Sequence, residues 1–229
     1  MLNNLKLLIK FPTRSRPEKF FIRLDEYYFM LRSENFEFIV SCDNDDETMN
    51  NDEVKGRLDS YPNLRYFFSE NASKVSAINN NMEGVEFDIL LLASDDMQPI
   101  QAGYDVIIKE KMLENFPDMD GVLWFNDGFQ GEKLNTLSII GKKYYDRFGY
   151  IYNPEYQSLY CDTEFTAASL MNRKVKYFDM ELIKHVQYSN VNENPDDLYI
   201  RNNKLEKIDY ETYQRRRLTG FKDEKCNII

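Results

Sequence analysis

The sequence predicts an α/β protein: a mostly parallel central sheet flanked by helices on both faces, with a less regular second half. Three observations predict it. Four strand-sized apolar runs in the first half are separated by segments with helical spacing. The most apolar of them, Phe87 to Ala93, reads as a strand buried on both faces. A chain of 229 residues that is 42% hydrophobic and 14% aromatic can also fill the core of one such domain, with residues left for a C-terminal extension.

Leu5 to Ile9 is the first strand, closed by Phe11-Pro12-Thr13. Arg14 to Arg32 then places Phe20, Phe21, Leu24, Tyr27, Tyr28 and Leu31 close to the i, i+3, i+4 pattern of an amphipathic helix. Phe36 to Val40 is the second strand and runs into the acidic loop Asp43 to Glu47. Asn63 to Phe68 is the third, followed by a helix from about Lys74 to Met82, and Phe87 to Ala93 is the fourth. In sheets of this kind ligands bind beyond the carboxyl ends of the strands. Those ends are Pro12-Thr13, Cys42-Asp43, Ser69-Glu70 and Ser94-Asp95-Asp96, all polar or acidic, so they can share one crevice. In the second half, Gly121 to Phe125, Leu137 to Ile140 and Val175 to Phe178 read as strands. Lys142 to Phe148 and Asp162 to Met171 read as helices. The simplest parse is one domain over 1–190, divided near 97, and a C-terminal arm or lid over 191–229.

Net charge is −10. A general nucleic-acid binder needs a dominant basic surface to displace counterions, so that class is set aside. Cys42, Cys161 and Cys226 are widely spaced and form no CxxC pair, which predicts free thiols in a reducing compartment. Leu5 to Ile9 is too short and too charged at its flanks for a signal core, and no transmembrane segment is evident. The expectation is a soluble, cytoplasmic protein.

The chemistry concentrates at Asp95 and Asp96. Adjacent carboxylates at the end of a buried strand are costly unless paired. A divalent cation offsets that cost and in turn holds a diphosphate. A helix cap or a solvated turn would use the same two residues. The chain carries no GxxxxGK[ST] loop, no GxGxxG after the first strand and no GxSxG elbow.

Four segments, in order, decide between these readings. They are Ile9 to Pro17 with its Pro-Thr-x-x-Arg-Pro-like turn, Phe38 to Asp43, Ser69-Glu70-Asn71 with Lys74 to Asn79, and Leu92 to Asp96. On them the chain resembles the GT-A fold glycosyltransferases, particularly the inverting family-2-like group, over roughly residues 5 to 190. The resemblance implies a Rossmann-like GT-A domain with a nucleotide-binding half over about 1–97 and an acceptor half over about 98–190. It implies a sugar moved from a nucleoside-diphosphate donor, UDP favoured and GDP possible, to a hydroxyl acceptor that is a glycan, lipid-linked or protein-linked. Mn2+ or Mg2+ would assist.

Residue by residue, the resemblance makes Asp96 the metal ligand and Asp95 a contact to ribose or metal. Ser94 departs from the family's acid, which leaves the division of labour between the two open. Pro12, Thr13, Arg16, Asp43, Asn71 and Lys74 would line the nucleotide pocket, with Asp43 accepting from a base N–H. His185, the only histidine, would complete the metal shell, and an imidazole there favours manganese over magnesium. Asp162, with Glu164 behind it, would be the base that takes the acceptor proton. The same residues read as a helix start, with Asp162 as cap. Trp124 and Asp127 would border the donor sugar, although Trp124 serves equally as core. Arg215-Arg216-Arg217 is either a lid over the diphosphate or a solvated basic patch. The alternatives are a non-catalytic sugar- or partner-binding domain on the same scaffold and a sugar-nucleotide nucleotidyltransferase. The latter's Gly-rich first loop is absent from Phe11 to Pro17.

Overall fold

The computed structural model describes residues 2–187, 190–191 and 194–222. Cys226 lies outside them. In chain order the elements are β1 (Leu7–Thr13), α1 (Pro17–Met30), β2 (Phe36–Asp43), α2 (Asp52–Leu58), β3 (Leu64–Ser69), α3 (Lys74–Asn79) and β4 (Ile89–Leu92). These are followed by β5 (Met97–Pro99), α4 (Tyr104–Asn115), β6 (Val122–Asn126), β7 (Ile139–Gly141), α5 (Lys142–Phe148) and α6 (Cys161–Met171). The chain ends with β8 (Val175–Glu181), β9 (Ile183–His185), α7 (Asp197–Asn203) and α8 (Glu206–Leu218).

Seven strands form one sheet in the order β3-β2-β1-β4-β7-β6-β8. β1 pairs in parallel with β2 and β4, β2 with β3, and β6 with β8; β7 runs antiparallel to both its neighbours. This is the mostly parallel, helix-flanked sheet the sequence predicts. Strand alternation sorts the core into two layers. Leu7, Ile9 and Phe11 face α1, α2 and α4 through Phe20, Leu24, Val54, Leu58 and Ile108. Leu8, Leu90 and Leu92 face α3, α5 and α6 through Val75, Ile78, Tyr144 and Phe165. In α1 the buried positions Phe20, Phe21, Leu24 and Tyr27 are the stripe read from the sequence.

Several boundaries differ from expectation. β1 continues to Thr13 because Pro12 and Thr13 stay in register with Ser41 and Cys42 of β2. The ladder thus carries the chain to the rim of the sheet. The expected helix over 74–82 ends at Asn79, and α6 starts at Cys161 with Tyr160 in the cap position, rather than at an Asp162 cap. α2, α4, the β5–β9 pair, α7 and α8 are absent from the sequence reading. Lys10 is a further surprise within β1. It is fully buried, and its ammonium reaches Ser41 Oγ and the Asn80 carbonyl (2.6 Å), ending α3 against the sheet. Burial pushes its pKa down to about 7.

Candidate active site

Because β1, β2 and β4 run the same way, their carboxyl ends open on one side of the sheet. A cleft forms there, lined by Pro12, Thr13, Arg16, Asp43, Asn71, Lys74, Ser94, Asp95 and Asp96. α7 roofs it with Leu198, Tyr199 and Asn202. An adjoining cavity shares Lys74, Ser94, Asp96 and Tyr199, and adds Thr136, Ser158, Asp162 and His185.

At one end of the cleft, Asp43 is held from two sides. Asn71 Nδ2 donates to its Oδ1 at 2.6 Å, and Arg14 pairs with Oδ2 while also reaching Asp45 at 2.6 Å. Thr13, 7% exposed, contributes a buried hydroxyl that has no hydrogen-bond partner.

At the other end the two acids part company. Asp95 turns to Arg16, whose Nη1 lies 3.0 and 3.3 Å from its two oxygens. Arg16 also grips Asp196 at 2.8 and 2.6 Å, and its guanidinium lies 4.3 Å from the centre of the Tyr199 ring. Burial and the neighbouring Asp96 push the Asp95 pKa up to about 6 against the pull of Arg16. Asp96 accepts from Tyr199 Oη at 2.6 Å on Oδ2 and from Ser94 Oγ on Oδ1.

His185 arrives beside Asp96 by strand pairing. β5 begins at Met97, and Met97 is the register partner of His185 on β9. Its Nε2 lies 3.7 Å from Asp96 Oδ2. On its other side, Nδ1 is 3.8 Å from Asp127 Oδ2, beyond hydrogen-bond reach. Burial disfavours the imidazolium, but the two carboxylates outweigh it and push the His185 pKa up to about 9. Burial likewise works against charge on Asp96, yet His185 and Lys74 hold its carboxyl well below the usual range.

Asp127 therefore stands behind His185 and does not border the cavity. It is 2% exposed, and accepts from Phe129 N (2.9 Å), Gln130 N (2.6 Å) and Thr136 Oγ1 (2.7 Å). Gly128, at φ +84°, makes that turn possible, and a Cβ there would sit 2.7 Å from Lys184 Cε. Trp124 is core: it is 3% exposed, and its ring meets Tyr177 edge-on at 5.4 Å. It lines neither cavity at this site.

The two base candidates also separate. Asp162 lines the cavity that holds Asp96 and His185. It is not the helix cap, because Tyr160 occupies that position at φ +60° and Asp162 Oδ1 instead accepts from Thr163 N at 2.8 Å. Glu164, two residues on and facing another side of the helix, is 5% exposed and binds Arg216 through both oxygens at 2.7 and 2.8 Å with Tyr156 Oη at 2.8 Å. A carboxylate so engaged by the protein belongs to the packing of α6 on α8, away from the cavity. Arg216 is accordingly buried, neither a lid nor a solvated patch; Arg215 pairs with Glu155, and Arg217 is exposed.

Among the described residues, no three His, Cys, Asp or Glu side chains converge on a closed metal site. The expected set of Asp95, Asp96 and His185 is not one cluster, since Asp95 is taken by Arg16. Asp96 and His185 alone supply one oxygen and one nitrogen donor. That fits an ion of the Mn2+ or Mg2+ kind, which takes its remaining ligands from phosphate and water.

Several site residues were not legible in the sequence. Tyr199 and Asp196 come from a tail that reads as merely polar; its one signal is Pro195-Asp196, a cap that Asp196 makes to Tyr199 N at 3.1 Å. Arg14, Ser158 and Asp209 carry no local signal at all.

The fold is one shared with solved glycosyltransferase structures. A mannosyltransferase from Pyrobaculum calidifontis, PcManGT, in complex with GDP-Man and Mn2+, matches with a TM-score of 0.61 at 13% identity, over 77% of this chain and 55% of that one. S. aureus TarS matches at 0.62 and 15% identity, over 80% of this chain and 37% of that one. TarS 1-349 in complex with UDP matches at 0.61 and 15%, over 79% and 60%. The match thus spans less than two thirds of each of these chains. No protein-family model and no curated protein matches the sequence. Among the described residues no helix is long and apolar enough to cross a membrane.

Proposed function

We propose that the chain is an inverting glycosyltransferase that moves a sugar from a nucleoside-diphosphate donor, UDP before GDP, to a hydroxyl acceptor. The observation that carries this is the adjacency of two cavities. The cleft at the strand ends shares Lys74, Ser94, Asp96 and Tyr199 with a second space lined by His185 and Asp162. In this reading Thr13, Asp43 and Asn71 receive the base, Asp43 first releasing Arg14. Lys74, exposed at the start of α3, meets the diphosphate. Asp96 and His185 would hold Mn2+ or Mg2+, which would supply charge stabilisation to the leaving diphosphate.

Asp162 is the residue that takes the acceptor proton. The acceptor oxygen forms its bond to the anomeric carbon, the bond from that carbon to the phosphate oxygen breaks, and the nucleoside diphosphate leaves with the electron pair. Asp127, its side chain fixed by three hydrogen bonds, holds His185 in place by accepting from His185 N on its carbonyl at 3.0 Å. The buried free thiols Cys42 and Cys161 support the cytoplasm as the working compartment. The acceptor is a glycan, lipid-linked or protein-linked hydroxyl.

A binding-only domain is the second reading, favoured by the complete engagement of Asp95 by Arg16 and of Asp96 by Tyr199 and Ser94. Calorimetry with UDP and GDP, with and without Mn2+, tests the proposal. Metal-dependent binding is expected, together with its loss in Asp96→Ala. Absence of nucleotide binding under both conditions sinks it, and metal-independent binding unaffected by Asp96→Ala removes the metal site. Hydrolysis of the corresponding nucleotide sugars then separates the enzyme from the binding-only domain.

A further inference from the structure

The turn from Tyr156 to Tyr160 is held from behind by the C-terminal helix. Asp209 of α8 is fully buried, and its carboxylate accepts from three consecutive backbone amides: Gln157 N at 2.8 Å, Ser158 N at 2.8 Å and Leu159 N at 2.7 Å. Convergent amides of this kind form an anion-binding concavity. Here the protein's own carboxylate fills it, with charge-assisted bonds that fix the backbone of the turn. The Gln157 carbonyl accepts from Val75 N at 3.1 Å, joining the turn to the start of α3 beside Lys74. The turn ends at Tyr160, whose φ of +60° is unfavourable for a residue with a side chain. Its ring is stacked on Tyr213 of α8 at 5.8 Å.

Ser158 is the residue this clamp presents. It is 2% exposed, it lines the cavity that holds Asp96, Asp162 and His185, and its buried hydroxyl has no hydrogen-bond partner among the described residues. A buried hydroxyl without a partner is costly, and rigid backbone bonds leave the turn no freedom to relieve it. The nucleotide cleft does not include Ser158, so the missing partner is not the base or the ribose. Alongside the charged groups of Lys74, Asp96, Asp162 and His185, the same cavity is lined by neutral polar side chains of Thr136, Gln187 and Asn202, the chemistry that receives hydroxyls.

Resting on the nucleotide-sugar reading above, we infer that Ser158 is a specificity-determining contact for the transferred glycosyl group. Its Oγ exchanges a hydrogen bond with a ring hydroxyl of the donor sugar. Asp209 is the positioning residue that sets the turn. The C-terminal arm is therefore a strut for the sugar site through α8 as well as a roof for the nucleotide site through α7.

The test compares a nucleotide sugar with its parent nucleotide by calorimetry in Mn2+, using UDP-glucose, UDP-N-acetylglucosamine and GDP-mannose against UDP and GDP. In Ser158→Ala the parent nucleotide should bind as in the wild type. The best nucleotide sugar should weaken about five- to tenfold, the worth of one hydrogen bond to an otherwise orphaned hydroxyl. Asp209→Asn should show the same selective loss, and adding Ser158→Ala to it should cost nothing further. A merely structural role for Asp209 would weaken both ligands alike. Equal loss for sugar and parent nucleotide in Ser158→Ala, or loss for neither, overturns the inference and leaves the nucleotide site standing. A wild-type protein that binds none of the five ligands overturns both. Should Asp209→Asn fail to fold, Ser158→Ala decides alone.

Discussion

Replacing Tyr199 by Phe removes one oxygen and isolates the contact between the C-terminal arm and the candidate metal ligand. The phenol donates to Asp96 Oδ2 at 2.6 Å, on the oxygen that faces His185. A cation bound there must displace that donor. A hydrogen bond to a charged group contributes about 1.5–3 kcal/mol. The Asp96 side chain is 16% exposed, so water replaces part of the lost bond and the lower figure applies. Tyr199→Phe should therefore tighten Mn2+ binding about tenfold. The ring stays in place over Arg16, at 4.3 Å, so the roof is not removed with the hydroxyl. Mn2+ titration followed by electron paramagnetic resonance of the free ion reads the change directly. Unchanged or weaker Mn2+ binding in the variant refutes the idea that Tyr199 and the cation compete for Asp96.

Two further outcomes follow from the buried charges. The His185 pKa is raised from 6.5 to about 9, so the stabilisation it brings is fully present below pH 6.5 and is lost as pH rises through 9. The difference amounts to about 3 kcal/mol, shared among His185, Asp96 and Asp127 as one network. Denaturation of the metal-free protein between pH 6.5 and 9 should show this decline, and His185→Gln should flatten it; a wild-type profile already flat refutes the coupling. Arg216→Ala leaves Glu164 buried without its cation and should cost about 3–5 kcal/mol in urea denaturation. Joint replacement by Glu164→Gln and Arg216→Met should cost less, and a loss below about 1 kcal/mol for Arg216→Ala would mean the pair is not the lock between α6 and α8.

The first half of the chain was legible because its information is local. The apolar runs of β1 to β4 and the stripe of α1 follow from period and burial alone, and a parallel sheet of such strands must end its carboxyl termini on one side. That alone gathers Thr13, Asp43, Lys74 and Asp96 at one rim of the sheet. The interior of the site was not legible in the same way. Asp95 and Asp96 are adjacent in sequence, yet one turns to Arg16 and the other to Tyr199 and His185. Partners that lie 79 to 103 residues away choose between them. Asp162 and Glu164 share a helix turn, but the two positions face different sides of it, and only α8 decides that the second is consumed by Arg216.

The sequence by itself determined the class of sheet, the rim at which a ligand is received, and the residue types able to hold a diphosphate and a cation there. Tertiary structure alone decided that the tail of the chain roofs and braces that rim. α7 puts Tyr199 and Asp196 on the site, and α8 puts Asp209 under Ser158. The physical reason is that hydrophobic period encodes which face of an element is buried, whereas a hydrogen bond between distant polar side chains leaves no periodic trace. Polar residues in a tail look alike until the fold gives each one a partner.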